Sequence, residues 1–126
     1  MAPSTFRQIV FETVRQAGGR VIDIIEPGVT PNFTAAHIEL GPTRCYLLHA
    51  VGDHWAFAEA IEPALSPLAF TDCPELAEAM TRLFGITPLT RVELNAPFTK
   101  LPGLSDSDIR YWKPRTLGDA LFNWWD

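Results

Sequence analysis

Turn signals constrain this chain more than any other feature. Between Phe33 and Ile61 the sequence reads FTAAHIEL, GPT, RCYLLHAV, GD, HWAFAEAI. Three runs of strand length, separated by two glycine-bearing corners, predict an antiparallel meander. Gly52-Asp53 fits a two-residue type II′ turn, since glycine accepts the positive φ of the first central position. That register sets Leu48 opposite Phe57 and Tyr46 opposite Glu59. Gly41-Pro42-Thr43 reads as a three-residue loop, with Ile38 facing Tyr46 and Ala36 facing Leu48. Alternation then sorts the side chains. Ile38, Leu40, Tyr46, Leu48, Trp55 and Phe57 form the core face, while Phe33, His37, Glu39, Cys45, Leu47, His49 and His54 take the other.

The flanks read mostly as helix. Phe6, Ile9, Val10, Thr13, Val14 and Ala17 make an apolar stripe that Ser4 opens and Gly18-Gly19 stops. Arg20 to Glu26 is a short β-branched strand, and Leu68 to Thr71 a brief edge strand. Asp72 opens a second helix, with Pro74 in its first turn and Glu75 at the reciprocal capping position. Leu76, Ala79, Met80, Leu83 and Phe84 line its inner side, and Gly85 ends it. Pro88, Pro97 and Pro102 keep residues 86–104 irregular, apart from a brief strand at Thr90 to Leu94. Ser105 to Asp108 supply caps for a single turn through Tyr111. Thr116 and Asp119 cap a last helix that is apolar on nearly all sides. The fold class expected is α+β: an antiparallel four- to five-stranded β-meander with helices packed mainly on one face, residues 1–126 forming one domain.

The tail from Tyr111 to Asp126, YWKPRTLGDALFNWWD, resembles the ending of small bacterial proteins that close with W-K-P-x-T-x-G-[DE]-x-x-F-N-x-W-D. Proteins of this type include many immunity proteins, which neutralise a toxin made by the same cell. The resemblance implies a bacterial, single-domain protein. It carries no catalytic residue.

Charge narrows the partner. Fifteen acids outweigh ten bases, for a net charge of −5. From Cys45 to Thr81 there is no Lys or Arg, yet Asp53, Glu59, Glu62, Asp72, Glu75 and Glu78 fall there. Such a surface repels phosphate backbones, which excludes nucleic acid, and attracts a basic protein. Glu59, Glu62, Asp72, Glu75 and Glu78 are therefore the candidate contact residues. No basic cluster precedes an apolar leader, and no run reaches the ~20 apolar residues of a membrane span. A cytoplasmic chain follows, and its two cysteines, Cys45 and Cys73, read as buried free thiols.

Nucleophile elbows, phosphate loops and metalloprotease motifs are absent from the sequence, and no cofactor is expected. The leading expectation is thus a non-enzymatic, immunity-type binding module. A second reading is a small metal- or ligand-binding protein or enzyme. It uses the histidine face, where His37, His49 and His54 converge and Glu39 lies opposite Cys45, all of them ligand types that zinc takes. A third is a subunit that forms homo-oligomers through Trp124 and Trp125.

Overall fold

The computed structural model describes residues 3–26, 32–50, 52–61, 68–98 and 115–123. Helix α1 (Pro3–Ala17) leads into a five-stranded antiparallel sheet in simple meander order. Its strands are β1 (Arg20–Ile25), β2 (Phe33–Leu40), β3 (Thr43–Ala50), β4 (His54–Ala60) and β5 (Ala69–Thr71). Helix α2 (Pro74–Phe84) follows, then two short helices, α3 (Arg91–Leu94) and α4 (Leu117–Leu121). The class is α+β, as the turn pattern predicts.

Both hairpin registers differ from expectation by one residue. Leu40 pairs with Thr43, so the first corner is the two residues Gly41-Pro42, with Gly41 at φ 60. Ala50 pairs with His54, so the second corner takes three positions, with Gly52 at φ 89 and Asp53 at φ 58. Both shifts move β3 against its neighbours in the same sense, so β2 and β4 keep their assigned faces and β3 alone is turned over. Leu47 lies opposite Phe57, and His49 opposite Trp55. Cys45, Leu47 and His49 therefore join Ile38, Trp55 and Phe57, while Tyr46 and Leu48 cross to the other side.

The slip was hard to see because both sheet faces are apolar. On one, α1 contributes Phe6, Val10 and Val14, and α2 contributes Leu76 and Met80, all over Ile38, Leu47 and Phe57. On the other, Leu94 of α3 and Leu121 and Phe122 of the α4 segment cover Phe33, Leu48 and Phe70. Ala35, Ala56 and Ala58 keep this second face flat, which lets short helices sit close. With Leu47 and Leu48 both wholly buried, alternation in β3 carries no register information.

Helix starts show three further differences, the first being that α1 begins at Pro3, so Ser4 lies inside it and does not cap it. Asp72 does not cap α2; Cys73 holds the N-cap position with no side-chain cap, and the Asp72 carboxylate accepts the Arg91 backbone N–H at 2.8 Å. Thr90 to Leu94 forms a helical turn where a strand was expected. The Thr90 hydroxyl accepts from Glu93 N–H at 3.1 Å, and the Glu93 carboxylate accepts from Thr90 N–H at 3.0 Å. That capping box satisfies two end groups at once and overrides the local β preference. At its other end α2 stops as expected, on Gly85 at φ 67.

The tail motif is built into the second face. Thr116 caps α4 by accepting Asp119 N–H at 3.1 Å. Gly118 lies against Phe70, where an added Cβ would fall 2.7 Å from the ring Cζ and 3.0 Å from the Leu94 carbonyl oxygen. Phe122 meets Phe33 and Phe70 edge to face. Asn123 N–H donates to the Asn32 side chain at 2.8 Å, and Asn32 N–H donates back to the Asn123 carbonyl at 3.0 Å. Trp124, Trp125, the 105–111 turn and the end of the arm lie outside the described residues.

Candidate functional site

The three histidines do not converge. His49 lies on the α1/α2 side, where Nε2 is 3.1 Å from Asp53 Oδ1 and the ring is 4.5 Å from Trp55. His37 and His54 share the opposite side, but His37 is level with Ala58, four residues along β4 from His54. At strand rise that offsets them by about 13 Å along the strands, in addition to the two strand spacings between β2 and β4. His37 stacks on Tyr46 at 4.4 Å with the rings nearly parallel. Glu39 does not face Cys45, whose partner is Ile38; it pairs with Arg44 and accepts hydrogen bonds from Arg44 at 3.1 Å and Arg20 at 3.3 Å. Among the described residues no three His, Cys, Asp or Glu side chains come close enough to hold a metal ion. The overturned register of β3 explains this dispersal.

The carboxylates fare differently. Glu75 and Glu78 are exposed on the outer side of α2, and Asp72 stands just before it. Glu59 is exposed near the end of β4, where β4 bulges against β5. Glu62 lies outside the described residues. Glu78 pairs with Arg82 at 3.1 Å, both side chains at least half exposed, so the pair adds little stability.

Asp72 and Glu78 line one continuous groove between α2 and residues 87–90. Its deeper part, about 270 Å³, has Phe57, Cys73, Ala77 and Leu89 in its wall. A shallower trough of about 580 Å³ continues it past Thr81 and Arg82. Ala77, Pro88 and Thr90 belong to both parts. The outer wall is pinned in place. Leu89 N–H donates to the Trp55 carbonyl at 2.8 Å, beyond the end of β5, and Thr81 Oγ1 donates to the Ile86 carbonyl at 2.9 Å. With the Asp72 bond to Arg91, these contacts fix the groove before anything enters it. The result is an apolar floor with the Asp72 carboxylate lining the deeper part and the Glu78–Arg82 pair lining the trough. Pro88, Leu89 and Thr90 were not singled out in the sequence, because a wall made by an irregular segment has no periodic signature.

Cys73 belongs to this site too. Its thiol donates weakly to the Glu75 carboxylate at 4.0 Å and interacts with the Cys45 thiol, and both cysteines are buried in the α1/α2 core. A hydrogen bond from the Cys45 thiol lowers the Cys73 pKa to about 7, against burial that raises it; the Leu76 backbone N–H helps lower it, and the Glu75 charge opposes. The same contact and burial push the Cys45 thiol upward. The D-C-P-E run gave a signal for this: a cysteine directly before a first-turn proline falls at an N-cap.

No helix among the described residues is long and apolar enough to cross a membrane. Comparison with protein-family models, curated proteins and solved structures gave no match to this chain.

Proposed function

We propose that this chain is a non-enzymatic, immunity-type binding module that seats a basic segment of a partner protein in the α2 groove. The observation that carries the reading is the pairing of an apolar floor with Asp72 and Glu78 at its rim, and with exposed Glu75 alongside. An arginine or lysine suits such a place, laying its aliphatic stem on Ala77 and Leu89 while its head reaches a carboxylate. The likeness of the tail to bacterial immunity proteins supports the same reading. Acidic residues steer a basic partner and raise the rate of encounter, whereas the groove floor supplies contact area.

The test identifies the products of the adjacent genes and measures association with a basic one, for wild type and Glu75→Lys/Glu78→Lys. Charge reversal is expected to slow association about tenfold at low salt, with the gap closing as salt screens the field. Equal rates at low salt would leave these carboxylates as a solubilising surface only.

A further inference from the structure

We propose that Cys45 and Cys73 are a redox site: a hydroperoxide entering the groove oxidises them to a disulfide that staples the start of α2 to the central strand β3. Three observations meet here. The two thiols belong to one buried cluster and lie within interaction range of each other, though 28 positions separate them in sequence. Cys73 lines the groove's deeper part, which gives a small oxidant a route to an otherwise buried sulfur. Cys73 also holds the N-cap of an 11-residue helix with no side chain taking up the end N–H groups, a setting that favours thiolate. The docking reading is not needed for this step.

The chemistry balances with two electrons. The Cys73 thiolate attacks the terminal peroxide oxygen, the O–O bond breaks, and the departing oxide takes a proton to leave as water from hydrogen peroxide or as an alcohol from an organic hydroperoxide. Cys73 is now a sulfenic acid. Cys45 attacks its sulfur, the S–O bond breaks, and the Cys45 proton leaves with the hydroxyl as water. Cys45 begins protonated, held so by burial and by its bond to Cys73, so it acts second. Both sulfurs lie within one chain, so no dimer is required.

The experiment treats reduced, folded protein with hydrogen peroxide and follows intact mass and alkylatable thiols. Wild type is expected to lose the mass of two hydrogen atoms and both thiols, to form no disulfide between chains, and to recover with dithiothreitol. Digestion should yield one peptide pair joined through Cys45 and Cys73. Cys45→Ser should instead gain one oxygen at Cys73 and be captured by dimedone. If either cysteine variant misfolds, the wild-type peptide map still decides. Retention of both thiols under peroxide that oxidises a free cysteine, addition of oxygen without loss of hydrogen, or a disulfide between two chains would each overturn the proposal.

Discussion

Thr13 is a single residue at odds with its surroundings. It lies wholly buried in the apolar stripe of α1, and among the described residues its Oγ1 meets no hydrogen-bond partner. A buried hydroxyl left unpaired costs desolvation that a methyl group of the same shape does not. Thr13→Val should therefore raise stability by about 1 kcal/mol, read as a higher denaturant midpoint with unchanged slope. Cys73 makes a pH prediction at the same scale. Its thiol ionises near 7 in the fold against an ordinary 9.0. Stability tied to that thiolate is complete above about pH 9, fades as pH falls, and is lost below about 7. Cys45 acts the other way, because the fold keeps it protonated after the unfolded chain ionises. Denaturant titrations of the reduced protein across pH 6–10 should show a rise toward 9 that Cys73→Ser removes.

At the scale of elements, the helices α1, α2 and α4 were legible, whereas α3 and the facing of β3 were not. The α1 stripe, the αL glycine ending α2 and the cap at Thr116 all follow from local chemistry, which side-chain order states openly. Register instead depends on which corner residues leave the ladder. Gly41-Pro42-Thr43 reads as three corner residues and Gly52-Asp53 as two, whereas the ladder leaves out two and three. Only a polar face could have decided between them, and this sheet has none. The candidate site was half legible for the same reason: exposed acids on a helix announce themselves, whereas a partner for Cys45 depends on the face β3 presents. The tail motif, which looked like a family signature without a task, has one within α4. Gly118→Ala drives a methyl group into the Phe70 ring and the Leu94 carbonyl. It should cost about 2–3 kcal/mol, measured as a lower denaturant midpoint with the far-ultraviolet spectrum retained.

The whole molecule is a sheet closed from both sides by different stretches of chain. Residues 3–17 and 74–84 close one side, and residues 91–94 and 117–122 the other, clipped to Asn32 by paired amide bonds. A ribosome delivers those pieces in order. When β5 has emerged, the face carrying Phe33, Leu48 and Phe70 still lacks the cover of Leu94, Leu121 and Phe122, and Phe122 follows β5 about fifty residues later. At ordinary synthesis rates that interval lasts on the order of several seconds. The half-made protein thus spends its first moments with an oily sheet turned to water, a natural place for a chaperone to bind until Leu121 and Phe122 arrive.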